Sequence, residues 1–178
     1  MAMYEGKGGR HLLTWPDSAA VKSGKPVFLA QEEGMVCFPG IAAKITAVGK
    51  SISAKFAGRY YDEVIPICYL ADANTAARLR AGEDPLACEI MSDFCLVAGN
   101  ALEKSRLSDI RYQVGNQTAD FSWQLALIDE AIGEASRRNT LKTGDIAGAI
   151  AKDGIDIQPE MRLTASLGGT ILIENNLK

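Results

Sequence analysis

The chain has 178 residues, of which 47% are hydrophobic and 23% charged, with a net charge of −3. That length and balance describe a globular protein able to bury a core without disulfides or a structural metal, and they exclude collagen and intrinsic disorder. No apolar run approaches the roughly 20 residues of a membrane helix, and a mildly acidic surface does not attract phosphate backbones, so neither membrane nor nucleic acid is expected as a partner.

Residues 1–25 read as a polar N-terminal arm in which Trp15-Pro16-Asp17-Ser18 opens a short helical turn, Pro being suited to a first turn. The early Gly6-Lys7-Gly8-Gly9 is no phosphate loop: it lacks both the strand before it and the Gly-Lys-Ser/Thr ending. Residues 26–178 read as one β-rich domain. Short apolar runs at Pro26–Ala30, at Met35–Phe38 (closed by Pro39-Gly40) and at Ile41–Ala47 predict strands. Ser51–Phe56 alternates with period two. Glu63–Leu70 carries the strongest strand signal, but Pro66 removes one ladder donor, which places this strand at an edge or at a bulge.

Residues 72–82 predict a helix stopped by Gly82. Residues 86–98 are apolar and fit strand or helix. Ser108–Gln113 predicts a strand, turned by Val114-Gly115-Asn116-Gln117. Over residues 120–138, Phe121, Leu125, Ile128, Ile132 and Ala135 fall on one face of a 3.6-residue period, with Thr118 or Asp120 as N-cap and Arg137-Arg138 complementing the dipole at the far end. Strands follow at 145–150, 162–167 and 170–174, the last two joined by Gly168-Gly169, residues suited to a hairpin turn with positive φ. Strands and helices do not alternate regularly, so the expected fold class is α+β, β-rich, rather than a doubly wound parallel sheet.

The four cysteines, Cys37, Cys68, Cys88 and Cys95, match no metal-binding spacing and lie in apolar contexts. They are expected as buried free thiols in a reducing compartment. With no apolar leader at the N-terminus, a cytoplasmic location is expected.

Several segments resemble the fumarylacetoacetate hydrolase family. The likeness is carried by Val114–Thr118, by the helix through Leu127-Ile128-Asp129-Glu130-Ala131-Ile132, and by Asn139-Thr140-Leu141-Lys142-Thr143-Gly144-Asp145-Ile146. Ile157–Met161 and the closing hairpin Leu167–Asn175 are similar to later pieces of that family, and Met91–Asn100 to an earlier one. The resemblance covers most of residues 60–178. It implies a mixed β-sandwich roll with one main helix, usually a homodimer, acting on a small keto or enol acid with Mg²⁺ or Mn²⁺.

In that family three carboxylates hold the ion, two of them as Glu-x-Glu on a strand, where residues i and i+2 share a face. Here Glu63 falls on the second position of that pair and Tyr61 on the first; a neutral tyrosine is a poor ligand for a hard cation. Asp72 is the candidate third carboxylate, and Tyr61 and Asp93 are the candidates for lining a substrate pocket. Ala147-Gly148-Ala149 stands where the family has Thr-Gly-Thr. His11 is the only histidine, and no Glu follows it at the spacing of a His-Glu dyad. Two functions follow as expectations. One is a divergent hydrolase or isomerase of small keto or enol acids, dependent on a divalent cation. The other is a non-catalytic dimeric binding or interaction protein that keeps the fold.

Overall fold

The computed structural model describes residues 1–7, 9–29, 34–83 and 96–178. The chain opens with β1 (Ala2–Gly6) and β2 (Gly9–Leu13); a 3₁₀ turn at Asp17–Ala19 leads into β3 (Ala20–Lys22). Then come β4 (Met35–Lys44), α1 (Ala54–Ala57), β5 (Glu63–Ala71) and α2 (Ala73–Ala81). Next are β6 (Leu96–Ala98), β7 (Leu102–Glu103), β8 (Asp109–Val114), β9 (Gln117–Ser122) and α3 (Leu125–Arg138). The chain ends with β10 (Ile146–Ile150), β11 (Ile155–Ile157), β12 (Arg162–Leu167) and β13 (Thr170–Asn176). The large sheet runs β2-β1-β10-β4-β5-β6-β3, with β11 also on β4 and β7 also on β5; the smaller sheet runs β13-β12-β8-β9. The pairs β1·β10 and β3·β6 are parallel and the other ladders antiparallel. This is the expected α+β roll, rich in strand.

The two central strands bury both faces. On β4 and β5, Cys37, Ile41, Ala43, Val64, Cys68 and Leu70 face the smaller sheet and α3. Val36, Phe38, Ala42, Ile65, Ile67 and Tyr69 face the opposite side, under Tyr4, Trp15 and α2. Period-two alternation thus feeds two apolar layers at once, which is why these strands read as nearly unbroken apolar runs.

Both central strands contain a proline, and the structure corrects both readings made from it. Pro39-Gly40 does not close a strand: β4 runs through it, unbroken from Met35 to Lys44. Nor is β5 an edge strand or bulged at Pro66: it lies between β4 on one side and β6 with β7 on the other, and its register with β4 runs unshifted through Pro66. Each proline sits at a seam between two short neighbours. Opposite β4, β11 pairs with residues 35–37 and β10 with 40–44; opposite β5, β7 pairs with 63–64 and β6 with 67–69. The Pro39 carbonyl accepts from Ala151 N–H (2.7 Å) and the Pro66 carbonyl from Gly99 N–H (2.9 Å), both at these seams. In extended backbone a residue's N and C=O point to the same side, so each missing donor faces a gap where no strand asks for it.

Residues 1–25 are not a separate arm. Ala2, Met3 and Tyr4 are buried, β1 pairs with β10, and β3 pairs with β6. Ser51–Phe56 is not a strand either. Ser51 N–H bonds the Ser136 carbonyl (2.9 Å) and Ile52 N–H bonds Ser136 Oγ (2.8 Å), so this segment docks on α3 and turns into α1. The main helix starts at Leu125, not at 120, and its N-cap Gln124 makes no capping bond. Phe121 belongs to β9, which pairs with β8 from the Gly115-Asn116 turn and adds Arg111–Asp120 and Ser122–Asp109 side-chain bonds. The second helix and the final hairpin follow expectation: Gly82 ends α2 at φ 71°, and Gly168 and Gly169 turn at φ 55° and 85°. Among the described residues no helix is long and apolar enough to cross a membrane.

Candidate functional site

At the foot of β5, where the resemblance places the Glu-x-Glu pair that holds a cation, the chain builds a different arrangement. Tyr61 is 1% exposed, and its hydroxyl donates to Asp129 Oδ1 on α3 at 2.9 Å. Burial, together with the bond to Asp129 and the charge of that carboxylate, pushes the Tyr61 phenol well above its usual range, so it stays protonated. Lys104 closes the other side. Its ammonium lies 4.9 Å from the Tyr61 ring centroid and donates to the carbonyls of Gly58 and Tyr61, each at 2.8 Å. It also lies 3.9 Å from Asp62 Oδ1. This is a lock between β5, the turn after α1 and α3.

Glu63 is exposed and stands directly opposite Glu103 across the β5–β7 ladder. Two carboxylates facing one another destabilise a strand pair. Asp72 lies beyond the other end of β5, where it N-caps α2: its Oδ1 accepts from Thr75 N–H (2.8 Å) and its Oδ2 from Thr75 Oγ1 (3.2 Å). Nine residues of extended chain separate it from Glu63, about 30 Å at the usual rise per residue. The two do not share one ion, a correction to their reading as joint ligands. Asp93 lies outside the described residues, as do Cys88 and Cys95.

Among the described residues no three of His, Cys, Asp and Glu converge on a point. Among the described residues the donors at the foot of β5 are few: Tyr61 is a neutral, protonated phenol bonded to Asp129 and so a poor ligand for a hard divalent cation, and Glu63 meets one further carboxylate, Glu103.

Cys37 and Cys68 are free and buried between the sheets, and Tyr112 donates to the Gly40 carbonyl at 2.6 Å. Burial pushes the Cys68 thiol and the Tyr112 phenol up, so neither is an anion. His11 stacks on Tyr4 with ring centroids 5.2 Å apart. Asp145 fixes its own turn by accepting from Lys142 N–H at 2.8 Å, as its sequence context suggests. Two clefts open at the surface. A cleft of about 600 Å³ is lined by Lys25, Arg162, Glu174, Asn176 and Lys178. There Glu174 pairs with Arg162, leaving cations in excess. A second cleft, of about 340 Å³, is lined by residues that include Trp15, Asp17, Asn139, Lys142 and Asp145.

No family model and no curated relative matches the sequence. Solved structures do match. A protein from Yersinia pestis assigned to the fumarylacetoacetate hydrolase family superposes with a TM-score of 0.78 at 17% identity, covering 98% of this chain and 87% of its own. Fumarylpyruvate hydrolase from Pseudomonas aeruginosa, solved with Mn²⁺ and pyruvate, gives 0.73 at 17% identity over 97% and 81%. The 5-carboxymethyl-2-hydroxymuconate delta-isomerase of Mycobacterium smegmatis gives 0.76 at 16% over 97% and 70%. The chain has the fold of the fumarylacetoacetate hydrolase family. Within this fumarylacetoacetate hydrolase-type roll, sequence reasoning found Tyr61 and Glu63 but missed Glu103, Lys104 and Asp129. No spacing signal links residue 61 to residue 129, because they meet only when α3 packs across the foot of β5.

Proposed function

We propose that this protein is a divergent relative of the hydrolases and isomerases of small keto and enol acids, and that it binds a small organic acid without cation-dependent turnover. The observation that carries this reading is the bond from Tyr61 to Asp129. It places a protonated, buried phenol where the resemblance puts a cation-holding carboxylate, and it commits the Asp129 carboxylate to that phenol. The cleft bounded by Lys25, Arg162 and Lys178 supports binding of an acid, since it gathers cations on a chain of net charge −3.

A second reading, a divalent-cation-dependent hydrolase or isomerase, is favoured by one observation: Glu63 faces Glu103, and two exposed carboxylates at one ladder position can meet a cation. Calorimetry with pyruvate and oxaloacetate, thermal unfolding with Mn²⁺ or Mg²⁺, and an acylpyruvate cleavage assay with Mn²⁺ separate the two. The binding reading expects saturable uptake of the acid, no rise in melting temperature with millimolar metal, and no turnover. A metal-dependent rise that Glu63→Gln abolishes, together with cleavage of acylpyruvate, would establish the second reading instead.

A further inference from the structure

Residues 34–61 contain four cations, Lys44, Lys50, Lys55 and Arg59, and neither Asp nor Glu; setting this stretch aside takes the net charge from −3 to −7. All four side chains are exposed, and none forms an ion pair with a described carboxylate. The same stretch carries two of the exposed large apolar side chains, Val48 at 66% and Phe56 at 45%. Lys55 Nζ lies 5.7 Å and Arg59 Cζ 5.0 Å from the centroid of the Phe56 ring. The face is also held in shape. Thr46 N–H and Oγ1 both donate to the Tyr60 carbonyl (2.8 and 3.0 Å), which keeps the Val48 loop against the end of α1. The Ser51 and Ile52 bonds to Ser136 fix the start of the segment to α3.

We propose that this face docks an acidic segment of another protein. An apolar side chain of the segment seats against the Phe56 ring, and its carboxylates meet Lys55 and Arg59 beside it. Charge complementarity names the occupant: unpaired cations beside apolar surface gain most from a ligand that brings carboxylates and an apolar anchor together, and a pre-formed face loses little entropy on binding. A single-stranded nucleic acid fits less well, because it carries a charge on every nucleotide along its length and so meets the acidic remainder of the molecule at more points than a short acidic segment does. A second copy of this chain fits less well on size, since a stable interface engages roughly 20–30 residues a side.

The test uses the full chain and a short fluorescein-labelled peptide of Asp and Glu around a central Leu-Phe pair, followed by anisotropy. Three further probes accompany it: the same peptide with Lys for each acid, the acidic peptide without Leu-Phe, and a single-stranded RNA of similar length. The expected result is micromolar binding of the acidic Leu-Phe peptide, weakened by salt. Binding should fall about tenfold or more in Lys55→Glu/Arg59→Glu and several-fold in Phe56→Ala, and stay unchanged in Lys152→Glu. Melting temperatures are measured for each variant, and the single change Lys55→Glu serves if the double variant unfolds. The proposal is overturned if the acidic peptide does not saturate, if losing Leu-Phe or reversing the charges leaves binding unchanged, or if RNA binds in preference. It is equally overturned if light scattering shows a dimer that the charge-reversed variant dissociates, since a second copy then covers the face.

Discussion

Replacing Tyr61 by Phe tests the lock at the foot of β5. The ring and its contact with Lys104 remain, while the hydroxyl and its bond to Asp129 are lost. A hydrogen bond to a charged acceptor contributes about 1.5–3 kcal/mol when buried; with Asp129 partly exposed, the expected loss at pH 7 is about 1–2 kcal/mol. The size of this loss depends on pH, and its sign follows from the raised pKa. Folding holds the phenol protonated, so the stability it contributes is complete below the ordinary tyrosine value near 10 and is lost as pH rises towards the raised one. Above about pH 10 the wild type therefore loses about 1.4 kcal/mol per pH unit that the Phe variant does not lose. The gap between the two proteins should be nearly closed by about pH 11. Urea unfolding followed by tryptophan fluorescence at several pH values between 7 and 11 measures it. A variant as stable as wild type at pH 7, or a gap that stays constant to pH 11, would refute the reasoning and return Tyr61 to the role of an open pocket residue.

Other substitutions probe the rest of the framework. Glu103→Gln relieves the like-charge pair with Glu63 and should stabilise the protein by about 0.2–1 kcal/mol at low salt, a gain that shrinks in high salt. Asp72→Ala removes the α2 cap and should cost about 0.5–2 kcal/mol by denaturant titration, with Asp72→Asn retaining most of the stability because Asn also caps. Gly148→Ala should unfold the protein or cost at least about 1–3 kcal/mol, since a Cβ there would meet the Ile41 carbonyl oxygen and Ala42 Cα, both backbone atoms of β4 that have little room to move. Soluble yield and circular dichroism report that last outcome.

Where the physics was local, the sequence showed it. The Gly82 stop, the Gly168-Gly169 turn, the Asp145 turn and the alternation along β5 each need only a few neighbouring residues. What the sequence hid was set by distant partners. Pro66 reads as an edge-strand signal because the chain does not reveal that two short strands leave a seam beside it. Ser51–Phe56 alternates like a strand, yet Ser136 takes its backbone donors and turns it into a helix. Phe121 fits the period of α3 and still joins β9, because the Gly115-Asn116 turn commits the following residues to a hairpin. The candidate site was legible in part for the same reason. Glu63 and Tyr61 stand out from their neighbours, whereas Glu103, Lys104 and Asp129 acquire meaning only through β7 and α3.

The parallel pairing of β1 with β10 ties Ala2 to Gly148 across most of the polypeptide. During synthesis the first strand leaves the ribosome long before its partner exists, and its apolar Met3 and Tyr4 must wait uncovered or find temporary shelter in the β1–β2 hairpin. Such long-range closure slows folding and exposes nascent chains to aggregation. Heterologous expression of this protein should therefore benefit from slow, cool induction and from chaperones that hold the β1–β2 hairpin until β10 has been made.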